Sequence, residues 1–243
     1  MYLVNISRSQ LLRCVAPGKV IGEIGTAEGA FAADILIYAN PEKLHLIDPW
    51  EHQDQADYVA DTNNVDQDAF DLRYKDVQKK FSAPISSGVV EVHRAYSPAA
   101  ADLFPDHYFD YVYIDGMHTE SAVYDDLKAF DPKVKPDGLI LGHDYVSHQA
   151  FRDMGFGVVE AVNRFVQETG YEFTALTYEG SPTYAISKNP ESANRMRLVS
   201  NILTGIQPPA VIVDIKNAEN KVMSQTDVVL PDGTRLQTLI GFD

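Results

Sequence analysis

From Lys19 onward the chain alternates short apolar runs with segments of helical length, and that alternation decides what it can fold into. Strand-like runs stand at 20–24, 44–47, 89–92, 111–114 and 139–141, the last following the turn signal Lys135-Pro136-Asp137-Gly138. Between them the spacing predicts helices over 27–38, 69–81 and 120–130, with another opening near Ser97-Pro98. Successive strands joined through helices must run parallel, because only a hairpin returns the chain antiparallel. The expectation is therefore an α/β fold: a doubly wound, mainly parallel sheet covered on both faces. A further helix over 156–169, stopped by Gly170, precedes strands at 173–176 and 183–187. The turn at 178–182 between them is short enough for an antiparallel hairpin at the sheet edge.

The flanks read differently. Residues 1–18 form an N-terminal lead-in, where Ser7 or Ser9 can cap a short helix before Pro17-Gly18. Residues 19–189 make the main domain. Residues 190–243 are a C-terminal appendage with a helix over 193–203, a break at Gln207-Pro208-Pro209, strand-like runs at 210–215 and 227–230, and the turn Pro231-Asp232-Gly233. Two readings of the appendage stand: it covers an edge strand or pairs with a second subunit, or it shapes a substrate site. Its spare strands make a homo-oligomer the expected assembly.

Charge narrows the partners. In 243 residues, 20 Lys+Arg face 35 Asp+Glu, a net charge of −15 that repels phosphate backbones and anionic lipid. Neither nucleic acid nor a membrane surface is expected. No apolar run suits a signal peptide or reaches the roughly 18 residues that span a bilayer. The single cysteine, Cys14, has no internal disulfide partner, so a reducing, cytoplasmic setting is the expectation.

Open α/β sheets bind ligands beyond the carboxyl ends of their strands, and four such places carry chemistry here. The first is Glu23-Ile24-Gly25-Thr26-Ala27-Glu28-Gly29, whose glycines let the backbone approach a ligand at a strand-to-helix turn. It departs from the dinucleotide fingerprint: Ala27 replaces the middle glycine and Glu28 puts an acid where pyrophosphate would lie. A cationic or zwitterionic ligand suits Glu23 and Glu28 better, and a ligand-free tight turn is the bland alternative. The second is Ile47-Asp48-Pro49-Trp50, where a carboxylate can take both hydroxyl protons of a ribose or merely cap a loop. Trp50 either covers a ring or packs. The third is Tyr96-Ser97, with Ser97 able to cap a helix. The fourth joins Asp115-Gly116-Met117-His118 with His143-Asp144-Tyr145, at the ends of strands expected about 4.8 Å apart. Asp115 and Asp144 offer oxygen ligands to a hard cation, His143 can add nitrogen, and His118 can take a proton from a hydroxyl near neutral pH.

Together these motifs resemble the class I S-adenosylmethionine-dependent methyltransferases, and more narrowly the small-molecule and sugar O-methyltransferase branch typified by macrocin O-methyltransferase. The resemblance spans about residues 18–188 and implies a Rossmann-like fold and S-adenosyl-L-methionine as cofactor. Carried over residue by residue, it implies a cofactor set of Glu23, Gly25, Thr26, Gly29, Asp48, Pro49, Tyr96, Ser97 and Asp115. Of these, Glu23 and Gly25 lie near the methionine, Asp48 on the ribose, and Tyr96 and Ser97 near adenine. It further implies His118 as base with Asp115 as catalytic partner, and Asp115, Asp144 and His143 as a magnesium set. His143 stands where metal-dependent members carry an acid, a departure that weakens a magnesium site. The implied activity is methyl transfer to a hydroxyl of a small molecule, a sugar or glycosylated metabolite by the narrower likeness. The polar stretch 51–68 would be the lid over the acceptor. A catalytically silent nucleotide-binding or scaffold protein on the same sheet is the alternative. An NAD-dependent oxidoreductase is disfavoured by the missing glycine.

Overall fold

The computed structural model describes residues 1–54, 63–206, 212–216, 221, 223–229, 231, 233 and 235–242. The chain opens with a strand, β1 (Tyr2–Val4), and a helix, α1 (Arg8–Leu12), whose N-cap Ser7 and Gln10 satisfy one another's backbone in a capping box. β2 (Val20–Ile24) leads into α2 (Ala30–Asp34), which widens into a π-helical turn (Ile35–Ala39) before β3 (Lys43–Asp48). Asp66 caps α3 (Gln67–Lys80), and α4 (Ser82–Ser86), β4 (Val90–Arg94) and α5 (Ser97–Ala101) follow. β5 (Phe109–Ile114), α6 (Glu120–Phe130), β6 (Val134–Gly142), α7 (Gln149–Asp153) and α8 (Val158–Thr169) complete the parallel part. The chain ends with β7 (Glu172–Thr177), β8 (Tyr184–Ser187), α9 (Ala193–Thr204), β9 (Ile212–Asp214) and the pair β10 (Met223–Val229) and β11 (Arg235–Phe242).

Nine strands form one sheet in the order β4-β3-β2-β5-β6-β8-β7-β1-β9. β4, β3, β2, β5 and β6 are mutually parallel; β8 runs antiparallel to both β6 and β7. The expected doubly wound sheet with an antiparallel hairpin is what forms, but the hairpin is not at the edge, because β1 and β9 lie beyond β7. The order reverses between β2 and β5, so their carboxyl ends flank the crevice where such sheets take ligands. β5 is buried along its whole length, since helices cover both faces. Leu44, Leu46, Tyr111 and Leu141 pack on one face, and Ile47, Val112, Ile114 and Ile140 on the other.

Details depart from the sequence pattern. The turn at 135–138 loops out of β6: Phe109 pairs with Val134, and pairing resumes at Tyr111 with Leu139. Both flanks complete the central sheet, because β1 pairs parallel with β7 and antiparallel with β9. α9 seats Leu198 and Ile202 in the core with Leu11 and Cys14, and Tyr111 Oη donates to Asn194 at 3.0 Å. β10 and β11 form a separate two-stranded sheet. Residues 55–62, within the expected lid, and the break at 207–209 lie outside the described residues.

Candidate active site

β2 ends at a turn that only particular residues can make. Gly25 has φ +86°, and a Cβ there would stand 1.9 Å from the Asp115 carbonyl oxygen, so the ends of β2 and β5 touch at this point. Ala27 and Gly29 also have positive φ, +48° and +67°. That left-handed turn uses up the residues expected as the first helical turn, which is why α2 starts at Ala30 and not at 27. Asp48, at the end of β3, locks the turn. Its Oδ2 accepts the Ala27 N–H at 2.8 Å and its Oδ1 the Trp50 N–H at 2.7 Å. The Trp50 indole donates to the Ala27 carbonyl at 2.8 Å and lies fully buried against Tyr74, so this ring packs.

Above the turn opens a cavity of about 660 Å³, the size of an ordinary small-molecule site. Glu23, Gly25, Thr26, Asp48 and Pro49 line it from one side, Tyr96 and Ser97 from another. Asp115, His118, His143 and Asp144 complete the lining. Gly29 is not among its lining residues; it faces α3, where a Cβ would collide with Phe81 at 2.6 Å, so its lack of a side chain serves packing. Glu23 is 1% exposed, and its Oε2 and the Thr26 hydroxyl are buried without a hydrogen-bond partner among the described residues. Burial pushes the Glu23 carboxyl well up, and Asp115 and Asp48 add to it against the opposing pull of the nearby Thr26 hydroxyl and of Arg8. An acid in that state is stabilised by an incoming cation.

The four polar residues expected at the ends of the fourth and fifth parallel strands do converge. His118 Nε2 lies 3.0 Å from Asp144 Oδ2 and 4.0 Å from Asp115 Oδ1. His143 Nδ1 lies 3.4 Å from Asp144 Oδ2 and 3.6 Å from Asp115 Oδ1. Asp115 and Asp144 outweigh the desolvation of His143 and raise it to about 9. Asp144 overcomes its own burial through His118 and His143 and stays far below the usual carboxylate range. It adopts φ +54°, a strained backbone that aims its carboxylate back at the cluster. Phe156 stacks on the His118 ring at 4.3 Å, fixing its plane.

Three further residues had no place in the sequence reading. Arg8 comes from α1, and its Nη1 donates to Asp115 Oδ2 at 3.0 Å. No local pattern links residue 8 to a strand end a hundred residues away. Phe156 reaches His118 from the loop before α8, equally without a local signal. Asp126 sits on the apolar stripe of α6 with Val123, Leu127 and Phe130, and an acid in such a stripe is a signal that could have been found. Burial raises its carboxyl to about 7. The Ser97 hydroxyl donates to it, so Ser97 does not cap α5; it is the first residue of that helix, and Tyr96 is the cap position.

Residues 23–145 match the family model described as a methyltransferase domain. No curated protein matches the sequence. Among solved structures, a Corynebacterium glutamicum protein superposes with TM-score 0.54 at 15% identity, covering 76% of this chain and 82% of its own. A proposed caffeoyl-CoA O-methyltransferase from Staphylococcus aureus gives TM-score 0.50 at 15% identity, covering 75% and 84%. The trans-methyltransferase CalH, in complex with SAH, gives TM-score 0.50 at 13% identity, covering 73% and 53%. At these identities the likeness establishes the fold.

Proposed function

From the premise that this chain belongs to the methyltransferase domain family, we propose that it transfers the methyl group of S-adenosyl-L-methionine to a hydroxyl of a small molecule. The observation that carries the reading is the presence of two features in one cavity. One is a buried, partnerless Glu23 oxygen beside a glycine turn; the other is a histidine–carboxylate cluster lining the same cavity.

The cavity residues suit the cofactor. Glu23 would meet the ammonium of the methionine end, and that charge would restore its ionised form. Asp48 holds the turn with one hydrogen bond to each oxygen and keeps further lone pairs for ribose hydroxyls. Tyr96, Ser97 and the buried Asp126 would meet adenine. Bound, the cofactor supplies an electrophilic methyl on a cationic sulfur, and the protein's task is to align a nucleophile and raise its reactivity. The acceptor hydroxyl loses its proton to the neutral His118 imidazole, and the imidazolium formed is held by Asp144, 3.0 Å from its Nε2. Phe156 keeps the ring in plane, and Asp115 adds negative charge beside it.

Asp115, Asp144 and His143 would hold magnesium, which would lower the pKa of a bound hydroxyl. The facing carboxylates of Asp115 and Asp144 are suitable oxygen donors, and His143 would join them only by losing its proton to solvent. The narrower acceptor class, a sugar or glycosylated metabolite, rests on the motif resemblance.

Calorimetric titration with S-adenosylhomocysteine, with and without magnesium, tests the reading. Binding in the micromolar range is expected, and absence of binding under both conditions would remove it. Asp48→Ala should weaken binding about tenfold, ~1.4 kcal/mol, but it also unlocks the turn. Glu23→Gln leaves the turn's hydrogen bonds in place and should cost a similar factor, which makes it the cleaner probe. Product mass spectrometry on a panel of hydroxylated acceptors then identifies the substrate.

A further inference from the structure

The methionine end of the proposed cofactor is a zwitterion, and Glu23 answers only its positive half. Its carboxylate must enter a cavity lined on that side by Glu23, Asp48 and Asp115. An anion placed there without a cation would be repelled from every direction. Among the described residues, the guanidinium groups lining the cavity are Arg8 and Arg73. Arg73 lies at the Glu28 side of the turn, 3.1 Å from the Glu28 carboxylate, and donates to the Asn63 carbonyl at 3.0 Å. Arg8 lies at the Glu23 side, close enough to act on Glu23 electrostatically, and its Nη1 bonds Asp115.

We infer that Arg8 is the carboxylate-binding residue of the cavity and, with Glu23, reads the amino-acid end of the cofactor as a charge pair. The inference rests on the methyltransferase reading. Arg8 is presented as such a residue must be. Its guanidinium lies over the Phe31 ring, 4.6 Å from the centroid, which fixes its plane, while its side chain keeps 31% of its surface exposed. The fork has five N–H donors, and with Asp115 on Nη1 and Tyr113 as a further partner, donors remain for a carboxylate without releasing Asp115. The supporting helix is rigidly anchored: Ser7 and Gln10 box its start, Leu11 and Leu12 are buried, and β1 ties the preceding residues into the sheet. Arg8 therefore makes the N-terminal segment, outside the matched residues 23–145, part of the binding site. It also bridges the cofactor end to Asp115 in the acceptor cluster.

The test compares two ligands on the full-length chain by calorimetry: S-adenosylhomocysteine, and its decarboxylated analogue, which keeps the adenosine, the sulfur and the ammonium. Arg8→Gln should weaken S-adenosylhomocysteine by about tenfold or more while leaving the analogue within about twofold. Arg8→Lys, which retains charge but not the fork, should fall between. Analogue binding by Arg8→Gln also reports that the site is folded. Equal losses for both ligands, or no loss for S-adenosylhomocysteine, would overturn the inference. If the wild-type chain bound neither ligand, the methyltransferase reading itself would fall, a result distinct from selective failure of the Arg8 prediction.

Discussion

Two histidine clusters sit on the same sheet and behave in opposite ways. At the rim, His143 lies between Asp115 and Asp144 and is raised to about 9. Toward the β4 edge, His45 of β3 lies against His93 and Glu91 of β4 and is lowered to about 4. His45 is as polar as its counterpart, yet it is boxed in by Phe104 and Phe109, with Nδ1 2.9 Å from His93 Nε2 and Nε2 3.0 Å from the Tyr108 hydroxyl. The acid beside it, Glu91, is held by Lys43 at 2.9 Å, and Lys43 opposes any charge on His45. Burial therefore wins at the edge, and two close carboxylates win at the rim. What matters is where the acids stand along the strands: mid-strand at the edge cluster, beyond the strand ends at the rim. The rim can meet a ligand; the edge cluster holds the sheet together.

Substitutions separate the two. The largest effect is expected for His118→Ala, which should lower the rate of methyl transfer by about 10²–10⁴ with S-adenosylhomocysteine affinity little changed. Retention of full rate would show that His118 is not the base. His45→Ala should do the reverse. Transfer per folded molecule stays intact while stability falls by about 2–4 kcal/mol in urea denaturation, from the cavity and the orphaned partners on His93 and Tyr108. An unchanged midpoint would contradict its structural role.

A finer distinction is in pH. With His45 lowered to about 4 against an ordinary 6.5, the unfolded chain takes up a proton between these values that the folded chain refuses. Stability is then lost as pH falls from 6.5 toward 4, by up to roughly 3 kcal/mol. His45→Phe should make that limb shallower, leaving the part carried by His93, which burial also lowers, whereas His143→Gln should leave it in place, since His143 is protonated in both states over this range. A limb unchanged by His45→Phe would assign it to other groups. The smallest effect concerns the turn below the cavity. Trp50→Phe removes the indole bond to Ala27 and should cost about 1 kcal/mol of stability, with a modest loss of S-adenosylhomocysteine affinity if the turn loosens. No loss of either would mean that Asp48 holds the turn alone.

Most of the sheet was legible because strand and helix are local periodicities. The runs at 20–24, 44–47 and 111–114 lie within β2, β3 and β5, and the residues just beyond them line the cavity. Asp115, His118, His143 and Asp144 could be grouped in advance because adjacent parallel strands bring their ends together. For Gly29 the structure supplies a reason that the sequence could not: a glycine can be required by a ligand or by a neighbour, and here Phe81 is a neighbour that leaves no room for a Cβ. Ser97 looked like a cap because serine caps helices, but the buried Asp126 competes for its hydroxyl.

The sequence by itself determined the α/β class, the acidic charge, the glycine turn and the identity of the rim acids and histidines, since each depends on spacing along the chain. Only the tertiary structure decided that β1 and β9 extend the sheet, that Asp126 lies against Ser97, and that Arg8 reaches Asp115. These are contacts between segments far apart in sequence. Their partners are chosen by packing and by the pairing of buried charge, which no local pattern encodes.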